Sequence, residues 1–249
     1  MKPFLFATVF LLALSSCQPA NVKMVTPTPI QSTPTRQNLQ IQTTTILPSS
    51  TPFFLPTRTQ TPTLPAASII TDMKAYKQDR PLDCESRAAV DWAAYFGFSI
   101  SEYDFQFNLP VSDNPDLGFV GTSDSLWGQT PPYAYGVHAR PVADLLQKYG
   151  VYAIAVEGMT LDSLKWQISL GHPVIAWVIG NCVGGVPTEY VDSQGNKTTV
   201  AAYEHVIIVI GYTDNRIRYL SSGKMYETPY EVFLNSWAVL GNMAIISGY

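Results

Sequence analysis

Cysteine is scarce: the 249 residues hold three, at Cys17, Cys84 and Cys182. A disulfide framework needs more, and a chain of this length can bury a core without one. Histidine is as rare, at His138, His172 and His205. No group of His and Cys has metal-ligand spacing, so neither a metal nor any other cofactor is expected. Basic residues form no cluster, which argues against nucleic acid as a partner. A Gly-Lys-Ser/Thr phosphate loop and internal repeats are also missing. Acidic residues are absent from the first 66 positions. All nineteen Asp and Glu follow them, with eleven of the fifteen Lys and Arg, leaving residues 67–249 near −8 against −4 for the whole chain. Such a balance suits neutral or basic peptides as ligands.

The apolar run from Phe4 to Leu14, after Lys2, is too short to span a bilayer as a helix but fits the core of a secretory signal. It ends in Leu14-Ser15-Ser16-Cys17, which resembles a bacterial lipoprotein signal. The resemblance implies a signal peptide over 1–16, cleavage before Cys17 and diacylglycerol on its thiol. The chain would then be exported and lipid-anchored to the bacterial membrane on its extracytoplasmic side. The alternative is an ordinary signal peptide cleaved near Ala20. Residues 17–66 are rich in Thr, Pro, Ser and Gln, cannot bury a core, and read as a disordered tether. Phe53-Phe54-Leu55 is its one apolar interruption. Residues 67–249 form one domain by size, expected to be monomeric, with the membrane as a partner through the anchor alone.

Within the domain, Asp83 precedes Ala88, Ala89, Trp92 and Phe96 at helical spacing, and Gly97 is a natural stop. Cys84 therefore takes the first helical position, where free backbone N–H groups and the helix dipole favour thiolate. The Gly-, Pro- and aromatic-rich stretch from Asn108 to Tyr135 reads as a functional or covering loop. Helices follow from His138 to Tyr149, ended by Gly150, and from a Thr160 cap to Gly171. Pro173 to Ile179 reads as a strand covered on both faces, and Val206 to Tyr212 as another. Thr213 to Arg216 turns into Ile217–Leu220. Thr228-Pro229-Tyr230-Glu231 is a capping box with Pro at the first helical position, and Met243–Ile246 closes the chain as a strand. A helical half bearing Cys and a sheet-rich half bearing His make an α+β architecture with a cleft between them.

Gln78, Cys84-Glu85-Ser86, Asn114-Pro115, Gly118-Phe119-Val120-Gly121, Tyr135-Gly136-Val137, Gly171-His172-Pro173-Val174 and Glu204-His205-Val206 running into Gly211-Tyr212 occur in this order. In these pieces the chain resembles the bacteriocin-processing-like cysteine peptidases, family thirty-nine of the papain fold. The resemblance implies Cys84 as nucleophile, His205 as general base and acid, and Gln78 as an oxyanion-hole donor. His138 and His172 do not match the catalytic position. The family usually places an Asp in an Asn-Asp-Pro step on the strand after His, where this chain has Leu220-Ser221-Ser222. Ser221 or Ser222 would approach His205, depending on a one-residue register, and Ser221 is the candidate site residue of the two. Asn235-Ser236-Trp237 imitates a ring-orienting step but falls inside the last helix.

The expectation is an exported thiol hydrolase that cleaves peptide or isopeptide bonds in a peptide or protein substrate through an acyl-enzyme. No transporter or ATPase segment accompanies the domain, so a leader-cleaving role is not expected. The alternatives are a pseudo-peptidase that binds peptides or cell-wall components, and a structural surface protein. A Cys84–Cys182 disulfide would support the last of these.

Overall fold

The computed structural model describes residues 63–249. The expected signal peptide, Cys17, Phe53-Phe54-Leu55 and the tether up to residue 62 lie outside the described residues. A short β1 (Ser68–Ile69) leads to α1 (Cys84–Tyr95), which stops where Gly97 takes φ +88°, a left-handed value that glycine adopts freely. No apolar periodicity marks α2 (Glu102–Asn108) in the sequence. Its cap is Ser101, whose hydroxyl accepts from the Asp104 amide at 3.3 Å. Between α2 and α3 (Ala139–Lys148) the chain makes only isolated bridges, Val111 to Phe119 and Val120 to Gly136.

Next come β2 (Ala153–Val156), α4 (Leu161–Ser169), β3 (Val174–Ile179) and the hairpin of β4 (Thr188–Val191) and β5 (Lys197–Val200). The chain then runs through β6 (Glu204–Tyr212), β7 (Arg216–Ser221), β8 (Lys224–Pro229), α5 (Tyr230–Ala238) and β9 (Ala244–Ser247). Among the described residues the main sheet has seven strands, ordered β2-β9-β3-β6-β7-β8, with β1 continuing along β6. Its pairings are antiparallel throughout.

The expected continuous apolar strand is β3, buried at all six positions. Each fully buried Val or Ile contributes roughly 1.5–3 kcal/mol relative to an exposed one. Three tryptophans lock the layers together, because a buried indole needs an acceptor for its N–H. Trp92 on α1 donates to Pro173 O at 2.7 Å, Trp177 on β3 to Val137 O at 3.0 Å, and Trp237 on α5 to Met243 O at 2.9 Å. The first of these seats α1, the helix that begins at Cys84, at the start of β3.

Two local expectations are corrected. Asp83 occupies the N-cap position of α1 without capping it: its Oδ2 accepts from the Arg80 amide at 3.0 Å and makes no bond to the helix. The capping box at Thr228 does not form either. Thr228 pairs with Ile217 in the β7–β8 ladder, and Pro229 stands at the N-cap rather than inside the helix. Sheet pairing claims the backbone that the box would have used. Among the described residues no helix is long and apolar enough to cross a membrane.

Candidate active site

Cys84 is the first residue of α1 and is almost wholly buried, at 5 % exposure. Its thiol donates to Glu85 Oε2 at 3.2 Å and makes no hydrogen bond to His205 among the described residues. Burial, with the Glu85 and Glu204 carboxylates next in weight, pushes the thiol pKa well above its ordinary value. The expectation that the helix start favours thiolate is therefore corrected. A neighbouring carboxylate and desolvation outweigh the dipole, which is worth about 0.3–1 kcal/mol at exposed sites. Cys84 and Cys182 are both free and buried, so no disulfide joins them.

His205, second in β6, turns its ring toward β7. Nε2 lies 2.8 Å from Ser221 Oγ, which settles the one-residue register between Ser221 and Ser222 at the level of contact. Burial pulls the imidazole pKa down to about 4, so the ring is neutral at pH 7. Trp127, from the long loop, packs edge-on at 6.3 Å between ring centroids and donates through Nε1 to Glu204 O at 2.8 Å. That bond ties the covering loop to the start of β6.

A cleft of about 340 Å³ opens beside the ring, lined by Gln78, Trp127, Asn181, His205, Ser221 and Tyr226 among others. Gln78, Ser221 and Ser222 also line the small pocket on which Cys84 opens. Thiol and imidazole thus share one wall but not one hydrogen bond. Gln78 Nε2 donates to Arg80 O at 2.8 Å and to Pro81 O at 3.3 Å, so its amide hydrogens are held by its own loop.

The other candidates sit elsewhere. His138 is buried, with Nδ1 on Asp116 Oδ1 at 2.5 Å, and His172 faces Gln167 Oε1 at 3.3 Å. Ser236 on α5 accepts from the Ile179 amide at 2.9 Å and anchors the end of β3, with no hydrogen bond to His205 among the described residues.

Glu85 and Glu204 were missed as site residues. Each is buried, and with Cys84 they bring three ligand atoms within 4.8 Å of one another. A count of His and Cys alone could not foresee this group, which draws two of its three donors from glutamates. Burial raises the Glu85 pKa to about 7, although its own amide and the Val137 amide, the latter at 2.7 Å, oppose the rise. Glu204 is pushed well up by burial and by Glu85. The sequence signal was an acid directly after the candidate nucleophile and another directly before the candidate base.

A profile of the Peptidase_C39 like family matches residues 70–245. A crystal structure from Bacillus anthracis described as a C39-like peptidase superposes with a TM-score of 0.64 at 22 % identity, covering 74 % of this chain and 98 % of that one. The fold is therefore the α+β arrangement of C39-like, papain-fold peptidases. Uncharacterized proteins of Mycobacterium bovis and Mycobacterium tuberculosis are 27 % identical over 123 residues, covering 43 % of this chain. The match spans about half the length of those relatives, 51 %.

Proposed function

The chain belongs to the Peptidase_C39 like family, and from that premise we propose an exported, membrane-anchored hydrolase that cleaves peptide or isopeptide bonds through a Cys84–His205 acyl-enzyme. The observation that carries the reading is the shared wall. A cysteine at a helix start and a histidine on a strand open on the same three residues, Gln78, Ser221 and Ser222, in the fold of a peptidase family.

In the resting site both groups are neutral, the thiol held by Glu85 and the ring by Ser221. Because Nε2 is committed to Ser221, Nδ1 is the ring nitrogen left to act as base. The thiol turns from Glu85 toward the cleft, and His205 Nδ1 takes its proton as sulfur attacks the carbonyl carbon. The C–N bond then breaks, the imidazolium returns the proton to the leaving amine, and water hydrolyses the thioester. Gln78, released from its loop carbonyls, donates to the oxyanion. Ser221 offers the imidazolium a neutral oxygen, a weaker support than a carboxylate. Export and anchoring rest on Lys2, the Phe4–Leu14 run and Leu14–Cys17.

A second reading, a pseudo-peptidase that binds peptides without cutting them, is favoured by the thiol's bond to Glu85. Incubation of the reduced chain with a mixed peptide pool, read by mass spectrometry, separates the two. Cleavage that disappears in Cys84→Ala and in His205→Ala supports the hydrolase. Peptide retention without cleavage supports the binder, and cleavage that survives Cys84→Ala sinks the proposed mechanism.

A further inference from the structure

Glu85 and Glu204 are nearly closed to solvent, at 1 % and 2 % exposure. None of the ion pairs among the described residues includes either of them. Two carboxylates without a cation are costly to bury, and proteins offset that cost by pairing, protonation or metal coordination. Glu85 uses Oε1 for the Val137 amide and Oε2 for the Cys84 thiol. Glu204 Oε1 is buried and has no partner. Gly136, at φ +122°, lets both carboxylates close on its backbone: a Cβ there would fall 2.2 Å from Glu85 Oε1 and 3.3 Å from Glu204 Oε2. The chain has thus left out a side chain where two acids converge beside a thiol.

We propose that Cys84, Glu85 and Glu204 bind a borderline-soft divalent cation of the zinc class, which holds the Cys84 sulfur silent while bound. The donor set selects the ion. A thiolate favours zinc over magnesium or calcium, and two carboxylates complete three protein ligands, leaving a fourth tetrahedral position for water. On binding, the S–H bond of Cys84 and the O–H bonds of whichever of the two carboxyls is protonated break, these protons pass to solvent, and the freed sulfur and oxygens displace waters from the ion. The dication offsets two of the three negative charges that the ionised donors bring together, so the buried site can hold them ionised. With a sulfur lone pair committed to the metal, attack on a carbonyl stops until the ion is withdrawn. This silencing rests on the hydrolase reading; ion binding by the three side chains does not.

The test uses the full, reduced chain with Zn²⁺ followed by calorimetry, Co²⁺ followed by absorption, and Cys84 alkylation followed by peptide mapping, which separates it from Cys17 and Cys182. Expected are one equivalent of Zn²⁺, no binding of Ca²⁺ or Mg²⁺, and a thiolate-to-Co²⁺ charge-transfer band that vanishes in Cys84→Ser. Glu204→Gln weakens Zn²⁺ binding by at least about 100-fold, as loss of a direct ligand should exceed the 10–100-fold typical of outer-shell groups. Zn²⁺ also slows alkylation of Cys84 and spares Cys182 in the unmodified chain, a readout that needs no variant to fold. Absence of stoichiometric binding, or binding that survives Glu204→Gln, overturns the site and leaves carboxylates that share protons only. Peptide cleavage measured with a chelator keeps the two claims apart. A bound ion without cleavage in either condition retains the site and removes the hydrolase, whereas cleavage without ion binding does the reverse.

Discussion

Nε2 of His205 stands 2.8 Å from Oγ of Ser221, on the neighbouring strand β7. A hydroxyl there can orient the ring but adds no charge to balance an imidazolium. Ser221→Asp should raise the His205 pKa from about 4 toward the ordinary imidazole range, since an opposite charge at contact favours the charged form. Titration of the ring by NMR checks this. An unchanged value would mean that burial alone governs His205.

Glu85→Gln should free the thiol. The substitution removes the anion that accepts from Sγ while its amide oxygen can still accept from the Val137 N–H. Cys84 should ionise at lower pH, and its alkylation at pH 8 in chelator should speed up at least about tenfold, the equivalent of one pKa unit. An equal or slower rate would show that burial, not Glu85, holds the proton.

Gln78→Ala separates catalysis from loop structure. If the amide supports the oxyanion, kcat falls by about 10²–10³. Loss of its bonds to Arg80 O and Pro81 O costs about 1 kcal/mol of stability in urea unfolding. A stability loss with unchanged kcat would confine Gln78 to holding its loop.

Gly136→Ala should destabilise the fold by about 2–5 kcal/mol, combining a left-handed backbone with overpacking. The added Cβ would meet Glu85 Oε1 at 2.2 Å. Denaturant midpoints measure this, and a loss under about 1 kcal/mol would mean that the carboxyl moves aside freely.

Stability should fall as pH rises from about 5 to 7 in chelator. Asp83 and Glu85, each raised to about 7 mainly by burial, keep protons in the folded state that the unfolded chain releases near its carboxylate values. Their contribution is complete below the unfolded pKa and lost as pH climbs through the folded one. His205 opposes them: with its folded pKa lowered to about 4, its contribution is present above the unfolded value near 6.5 and is lost as pH falls. Two raised acids outweigh one lowered base. Urea midpoints that rise over this window would contradict the balance, and Glu85→Gln should flatten the slope.

Helix α1, strand β3 and strand β6 were legible because their apolar spacing is dictated by large buried faces. The Gly97 stop was legible because only glycine takes φ +88° without strain. By contrast, α2 and the strands β2, β4, β5 and β8 are short and mixed in character, so no periodicity marks them. Thr228 illustrates the limit: its local signal called for a helix cap, and a ladder partner at Ile217 took precedence. The site divides along the same line. Cys84, His205, Gln78 and Ser221 could be named from motif order, and Ser221 could be paired with His205 to within one residue.

The sequence by itself determined the α+β class, the family resemblance and the side chains from which the site is built, because burial patterns and chemically committed residue types are local properties. The tertiary structure alone decided that the Cys84 thiol turns to Glu85, that Glu85 and Glu204 converge at Gly136, and that dipole-driven ionisation gives way to desolvation. Charges act through space and water exclusion, and neither is written in the spacing of residues along a chain.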